Sequence, residues 1–173
     1  FSLDYVPLWS YCTRNRYFNT GKENEPINCI QLYYTGDPAT AKRQLHVVGW
    51  LENIDIKFKV RNYRHRHWNH ICWSYSSTTG MTVLYFNGKL AGNIRQAEPG
   101  HTIQSYEDPN DSSFVIGQEM DDIDDGFDSE QMFLGELTEL NMWDRVLDNF
   151  TIKHLSECKE VGNGNMISWK KEN

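Results

Sequence analysis

The sequence predicts an all-β protein, a sandwich or jelly roll with one short C-terminal helix. Two observations predict it. Short runs of aromatic and β-branched residues are separated by Gly, Asn and Asp, and strand patterns do not alternate with long helical ones. The chain has 173 residues, of which 39% are hydrophobic and 13% aromatic. We therefore expect a single domain over residues 1–173 with a sizeable core.

The predicted strands follow one another in short segments, most of them bounded by Gly, Asn, Asp or Pro. They cover residues 6–12, 27–34, 44–50, 54–60, 70–76, 82–86, 89–92, 113–116, 133–143 and 166–169. Asn87-Gly88 favours a type I′ hairpin turn, since both residues accept positive φ angles. One helix is predicted over residues 150–158, with Asn149 as its N-cap and with Ile152 and Leu155 on one face.

An acidic segment is the strongest functional signal. Seven carboxylates fall in the twelve residues from Glu119 to Glu130, between two apolar segments. Ca²⁺ takes about six to eight oxygen ligands, so a bound ion would relieve the repulsion between these charges. A solvated acidic loop is the alternative that the charge pattern leaves open.

The acidic segment does not fit an EF-hand. In a loop that starts at Asp121, the third and twelfth positions are Ile123 and Met132, where an EF-hand needs oxygen donors. We therefore expect a neighbouring loop to lend ligands, and Glu23 and Asn24 carry suitable oxygens. A plain polar hairpin loop is the alternative interpretation of these two residues.

Charge and hydropathy exclude other classes. The net charge of −7 argues against nucleic acid as the primary partner. No apolar run reaches the roughly twenty residues of a membrane span, so we expect no membrane insertion. The start at Phe1-Ser2-Leu3-Asp4 resembles neither a signal peptide nor an initiator, which suggests a mature or trimmed fragment.

Cysteines and sequons favour a secreted, extracellular glycoprotein. Sequons occur at Asn110 and Asn149. The four cysteines form no C-x-x-C pair, which excludes a zinc ribbon, and their even number allows two disulfides with three connectivities. They are Cys12, Cys29, Cys72 and Cys158.

Several motifs resemble those of the pentraxin family. Residues 70–77, His-Ile-Cys-Trp-Ser-Tyr-Ser-Ser, are similar to the signature His-x-Cys-x-Ser/Thr-Trp-x-Ser/Thr, with Tyr75 in place of tryptophan. Residues 116–121 resemble Leu-Gly-Gln-Glu-Gln-Asp, and residues 127–131 resemble Phe-Glu/Asp-x-x-Gln. Residues 135–144 resemble Gly-Glu/Asp-x-x-x-x-Asn-Met-Trp-Asp, and residues 165–169 resemble Asn-Val-Ile-x-Trp. The resemblance has no gap from 117 to 143 and covers about residues 8–169.

The resemblance implies a fold and a metal site. Pentraxins are antiparallel two-sheet jelly rolls, of the concanavalin and laminin G type, that bind two Ca²⁺ ions on one face. Met120 replaces the family's glutamine and would ligate through its backbone carbonyl, while Glu23 stands where the family usually has aspartate. The ligands that the resemblance assigns to the first ion are Asn24, Glu119, Met120 and Asp121, and those of the second are Asp128 and Gln131 with shared Glu119 and Asp121.

The resemblance also implies a lectin-like recognition function in innate immunity. The ions would bind phosphate- or carboxylate-bearing ligands on microbial or damaged-cell surfaces, such as phosphoethanolamine, phosphocholine or acidic glycans. Asn24, Gln131 and Glu52 are the residues assigned to ligand contact. Residues 27–30 lack the larger apolar run of phosphocholine binders, which argues against choline specificity. Pentraxins form rings, so a cyclic homo-oligomer is implied.

The cysteines depart from the family pattern. Cys72 matches one half of the core disulfide, whose usual partner would precede Phe1. Cys158 resembles a cysteine of some invertebrate members, whose partner would follow Asn173. Within the chain, Cys12 and Cys29 flank the candidate calcium loop at residues 22–25 and could bridge it.

Three other functions compete with this one. A glycosidase is disfavoured because the carboxylates cluster in one loop and no G-x-S-x-G is present, so we expect no enzyme. His67 and His70 are three residues apart but have no cysteine or acidic neighbour, and His70 is interpreted as structural rather than as a zinc ligand. The main alternative is a pentraxin-like adhesion module of a larger extracellular receptor, which acts through protein contacts.

Overall fold

Eight strands and one helix form the part of the chain that the structure, a computed structural model, describes. This part comprises residues 5–14, 27–36, 45–51, 54–64, 66–95, 97–100, 112–120 and 127–169. The elements are β1 Val6–Arg14, β2 Ile27–Thr35, β3 Leu45–Leu51, β4 Ile54–Val60, β5 Ile71–Ser76, β6 Met81–Phe86, β7 Lys89–Arg95, β8 Ser112–Ile116 and α1 Asn149–Ser156. The chain divides into two compact units, Phe1–Val60 with Thr102–Leu134, and Arg61–His101 with Gly135–Asn173. The expectation of a single domain stays a prediction.

The first unit contains a five-stranded antiparallel sheet in the order β4-β3-β2-β1-β8. Side chains alternate between its two faces, as strand geometry requires. One face buries large apolar side chains, including Trp9, Leu32, Val47 and Phe58. The register places Ser10, Gln31 and Asp55 in one row on the opposite face. The sheet therefore has an apolar face and a face that mixes polar and apolar residues.

The second unit contains a three-stranded antiparallel sheet in the order β5-β6-β7. In β6, buried Thr82, Leu84 and Phe86 alternate with less buried residues. Asn87 and Gly88 join β6 to β7 with φ angles of 50° and 72°. Both angles are positive, which confirms the predicted type I′ turn.

The helix was predicted in the right place with the wrong cap. Its N-cap is Asp148, whose carboxylate accepts the Thr151 N–H at 2.9 Å, and Asn149 is the first helical residue. Aspartate caps well because its short side chain reaches a free amide of the first turn. The helix ends at Ser156 rather than Cys158, which has a φ of 54°. Ile152 is its buried residue.

Two predicted strands, residues 133–143 and 166–169, are wrong. In these segments of the described chain the structure has a single bridge, Met142 with Ile167. Glu139 has a φ of 54°, which interrupts an extended chain. The Asn141 side chain then takes over ladder-like hydrogen bonds, because its Oδ1 accepts the N–H groups of Gly164 at 3.2 Å and Trp169 at 3.3 Å.

Candidate calcium and ligand site

The acidic segment begins and ends at one point on the first sheet. After β8, Gly117 adopts a φ of 79°, which favours glycine. Its N–H donates to the Leu8 carbonyl at 2.9 Å, and its carbonyl accepts the Phe133 N–H at 2.8 Å. Gln118 then bridges Met132 in antiparallel fashion, and the Gln118 carbonyl accepts the Ser10 hydroxyl at 2.8 Å. The segment between Gln118 and Met132 is therefore a loop closed at its neck and anchored to β1.

The Met120 side chain points away from solvent. It is 2% exposed and packs with buried Cys12 and partly buried Val115. The Met120 carbonyl oxygen lies 3.8 Å from Cys12 Sγ. A buried thioether offers nothing to a hard cation, so at this position only the backbone carbonyl could act as a ligand. The replacement of the family's glutamine by methionine is thus compatible with the predicted role of Met120.

The Glu119 carboxylate is held by a tyrosine. The Tyr5 hydroxyl lies 3.2 Å from Glu119 Oε1 and also contacts Gln31 Oε1. Burial, followed by the negative charge of Glu119, raises the pKa of Tyr5 above its ordinary value. The hydroxyl therefore stays protonated and remains a donor at physiological pH.

A second tyrosine, which lies beside the first, donates a hydrogen bond to another carboxylate. The ring of Tyr33 lies 4.2 Å from that of Tyr5, centroid to centroid, and its hydroxyl donates to Asp55 Oδ1 at 2.8 Å. Burial and this bond to Asp55 raise the pKa of Tyr33. The two tyrosines thus hold two carboxylates through separate hydroxyls.

Asp128 and Gln131 share a turn that leads back to the bridge between Gln118 and Met132. The Gln131 N–H donates to the Asp128 carbonyl at 3.0 Å, and the Glu130 N–H donates to Asp128 Oδ1 at 2.8 Å. Asp128 is exposed and Gln131 is partly buried. No residue in the described part of the chain donates to Asp128 Oδ2, which is therefore available to an ion from solvent.

The donor set fits calcium in kind. Glu119 and Gln131 directly follow and precede the bridged pair, so they lie opposite one another in register, and Asp128 is bonded to Gln131. Carboxylate, amide and backbone carbonyl oxygens are the ligands that Ca²⁺ prefers. Within the described ranges no group of three or more His, Cys, Asp or Glu is close enough to hold a metal. Glu23, Asn24, Glu52, Asn110 and Asp121 lie outside the described residues, so the two-ion site stays a prediction.

The cysteines fall into two kinds. Cys12 is disulfide-bonded, and in the β1–β2 register it lies opposite Cys29. Cys72 and Cys158 are free thiols. Burial raises the pKa of Cys72 to about 11. The predicted pairing of Cys12 with Cys29 agrees with the register and stays a prediction.

Asn149 lies on the surface at the start of α1. It is exposed, and its Oδ1 accepts the Tyr85 hydroxyl. The sequon threonine, Thr151, donates its hydroxyl to Asp148 Oδ2 at 3.0 Å. Exposure is compatible with a glycan at Asn149, which stays a prediction.

Sequence reasoning missed the residues beneath the loop, namely Tyr5, Gln31, Tyr33 and Asp55. A signal for two of them was present. Gln31 and Tyr33 occupy alternate positions of the apolar strand β2, and a polar residue on a buried face needs a partner. Tyr5 precedes β1 and has no such pattern around it.

These features, a two-sheet antiparallel protein with an oxygen-rich closed loop, define a class of β-sandwich with a candidate cation site. The comparisons identify the family. Residues 40–173 match the model described as Pentaxin family. This chain belongs to the Pentaxin family.

Relatives of two kinds are similar to this chain. Neuronal pentraxin-1 of Rattus norvegicus is 35% identical over 103 residues, which are 59% of this chain and 23% of that protein. C-reactive protein 1.4 of Limulus polyphemus is 36% identical over 109 residues, 60% of this chain and 43% of that protein. The matched part is thus less than half the length of either relative.

A solved structure supports the fold. The native heptameric SAP-like pentraxin from Limulus polyphemus is 22% identical and has a TM-score of 0.66, covering 99% of this chain and 80% of that one. With two antiparallel sheets and one short helix in the described residues, this confirms the predicted jelly-roll class. Among the described residues, no helix has the length and hydropathy needed to cross a bilayer.

Proposed function

We propose that this protein is a calcium-dependent recognition protein that binds phosphorylated or acidic ligands through two Ca²⁺ ions. The observation that carries the proposal is the closed neck at Gln118 and Met132, which brings Glu119, Gln131 and the turn of Asp128 to one end of the loop. Membership of the Pentaxin family supports it. The ions would be held by Glu23, Asn24, Glu119, Asp121, Asp128, Gln131 and the carbonyl of Met120.

Bound calcium would supply open coordination positions that attract phosphate or carboxylate oxygens. The chain's own residues would hold the calcium ligands in position. Tyr5 fixes the orientation of Glu119, and the Ser10 hydroxyl fixes the backbone at Gln118. The buried contact of Met120 with Cys12 anchors the start of the acidic segment to β1. Asn24, Gln131 and Glu52 are proposed to contact the bound ligand.

The setting follows from the family. We propose a secreted, extracellular, glycosylated protein of innate immunity that recognises microbial or damaged-cell surfaces. A cyclic homo-oligomer is proposed because the solved relative from Limulus polyphemus is described as heptameric. The Pentaxin family is in general non-enzymatic, and we assign no catalytic residue here.

Retention on immobilised phosphoethanolamine tests the proposal. The protein should bind in millimolar calcium and elute with EDTA, and Glu119→Gln combined with Asp128→Asn should abolish retention. Glu130→Gln is the matched control, because Glu130 is exposed in the same loop but has no assigned ligand role. Equal retention with and without EDTA, or equal retention of the double variant, would contradict the proposal.

A second function, an adhesion module of a longer receptor, is favoured by one observation. Sushi, von Willebrand factor type A, EGF and pentraxin domain-containing protein 1 of Rattus norvegicus is 32% identical over 126 residues, which are only 3% of its length. Domains of this kind therefore occur inside much larger proteins. The full-length gene product discriminates, since further domains or transmembrane segments would establish the adhesion function.

A further inference from the structure

Positive charge is concentrated in one stretch of this acidic chain. Residues 56–97 contain seven lysine and arginine residues and no aspartate or glutamate, although the whole chain has a net charge of −7. Within the second unit, Arg61, Arg64 and Arg66 lie in the connection that leads into β5, and all three are exposed. No carboxylate in the described residues forms an ion pair with any of the three. These guanidinium groups therefore face solvent without a counter-charge from that part of the chain.

The loop that carries these arginines has a fixed backbone. The Asn69 amide donates to the carbonyls of Arg64 at 3.0 Å and His67 at 2.8 Å, and its Oδ1 accepts the Arg64 N–H at 3.3 Å. The backbone at Arg66 has a φ of 58°. A fixed loop backbone lowers the entropy that ordering the loop around a bound anion would otherwise cost.

The loop is joined to the β6–β7 turn. The His70 N–H donates to Asn87 Oδ1 and the Asn87 N–H donates to the His70 carbonyl, both at 2.8 Å. Asn87 Nδ2 also donates to Asn69 Oδ1 at 3.2 Å. Exposed Lys89 follows this turn directly. The turn therefore adds a further cation beside the arginine loop.

Helix α1 reaches the same turn. A Cβ added at Gly88 would lie 2.3 Å from Ser156 Oγ and 3.7 Å from the Lys153 Cα. Lys153 is exposed. Glu157 pairs with Lys159 and also interacts electrostatically with Lys153, while Glu160 lies 3.2 Å from His154 Nδ1. We call the surface formed by Arg61, Arg64, Arg66, Trp68, Lys89 and Lys153 the basic end.

We propose that the basic end binds a sulfated polysaccharide, independently of calcium. Arginine presents a planar fork of N–H groups that matches an anionic oxygen pair, and several such groups on three elements suit a chain with repeated sulfates. Trp68, which is 63% exposed, offers a flat apolar ring beside them for a sugar face. This function goes beyond the proposed calcium site, which lies on residues of the first unit.

Two other polyanions fit less well. A DNA duplex is stiff over about 150 base pairs, so its phosphates would extend past the basic end. The rest of the protein is acidic and would repel those phosphates. Sites for single-stranded nucleic acid stack successive bases on several aromatic rings, whereas the basic end has one, Trp68. A flexible sulfated chain can contact the basic end alone.

Heparin binding in EDTA tests the proposal, because chelation removes any contribution of the calcium site. The native protein should bind heparin at 50 mM salt, with affinity falling as salt rises. Arg64→Gln with Arg66→Gln should weaken binding about tenfold or more, as expected for lost charged hydrogen bonds. Arg95→Gln is the matched control, since Arg95 is exposed at the opposite end of β7. Its affinity should stay within about twofold of the native value.

Several outcomes would overturn the proposal. The first is that the native protein does not bind heparin in EDTA. The second is that Arg95→Gln and the double variant lose heparin affinity equally. The third is that unsulfated hyaluronan binds as tightly as heparin. Tighter binding to single-stranded DNA or to phosphatidylserine vesicles would assign the basic end to a different partner. Circular dichroism of each variant checks that the surface changes leave the fold intact. If the native protein binds heparin in EDTA but is not retained on phosphoethanolamine in calcium, the basic end is supported and only the proposed calcium site is refuted.

Discussion

Replacing Tyr5 by phenylalanine removes a hydrogen bond that supports Glu119 and leaves every proposed calcium ligand in the chain. The change removes one hydroxyl and keeps the ring that stacks on Tyr33. The lost bond to Glu119 is 3.2 Å long and is shared with Gln31, so it contributes about 1 kcal/mol, below the range for charged hydrogen bonds. Gln31 is 5% exposed, and leaving its oxygen without this donor costs about 1 kcal/mol more.

The expected loss of about 2 kcal/mol corresponds to a fall in Tm of about 4–8 °C for a chain of this size. Calcium affinity should fall about tenfold, the lower end of what groups that orient metal ligands contribute. Thermal unfolding in EDTA measures the first effect, and a calcium titration measures the second.

Tyr33→Phe is the matched control. It removes a hydroxyl whose hydrogen bond goes to Asp55 at 2.8 Å, so the hydrogen bond of Tyr5 to Glu119 is kept. It should reduce stability by about 1.5–3 kcal/mol, the range for a hydrogen bond to a charged group, and leave calcium affinity unchanged. The reasoning is refuted if Tyr5→Phe binds calcium as tightly as the native protein, or if both variants weaken binding equally.

Three further predictions concern the second unit. Gly88→Ala should cost about 2–3 kcal/mol in chemical denaturation, because it combines a φ of 72° with a contact at 2.3 Å to Ser156, whereas Gly100→Ala, with a φ of 89° and open space, should cost about 1 kcal/mol. A thiol reagent at pH 8 should label exposed Cys158 quickly and buried Cys72, whose pKa is raised to about 11, only after unfolding. Burial lowers the pKa of His70, so the folded state favours its neutral form and stability should fall as pH drops below the ordinary value of 6.5.

Each of these has a result that contradicts it. Equal costs for the two glycine variants would mean that α1 does not pack against the β6–β7 turn. Rapid labelling of two thiols in the native state would show that Cys72 is accessible, and more than two thiols in the unfolded, unreduced chain would exclude the Cys12 disulfide. The His70 effect has a slope of at most about 1.4 kcal/mol per pH unit, and it should disappear in His70→Asn. An unchanged pH profile in that variant would assign the effect to other groups.

The fold was predictable because its signals are local. Alternation in strands such as β6, and the Asn87-Gly88 turn, depend on residues adjacent in sequence. The segment 133–143 failed because its composition suits a strand, while one residue, Glu139, adopts a positive φ that composition does not reveal. The cap was misplaced by one position because Asp148 and Asn149 are both good caps, and only geometry decides between them.

The site was predictable in its ligands more than in its support. Carboxylates crowded into one segment are visible in the sequence, and the motifs around them assign roles. Tyr5 is 114 positions from Glu119, and nothing local connects a tyrosine to a carboxylate at that distance in sequence. The basic end was not predicted for a different reason. The net charge of −7 is a sum over the whole chain, in which the positive residues 56–97 are outweighed by the acidic remainder.

The most direct test of the central claim is a calcium titration by calorimetry of the native protein, of Glu119→Gln with Asp128→Asn, and of Glu130→Gln. We expect two ions per chain in the native protein and in the Glu130 variant, and loss of tight binding in the double variant. Absence of tight calcium binding in the native protein, or its survival in the double variant, would contradict the account.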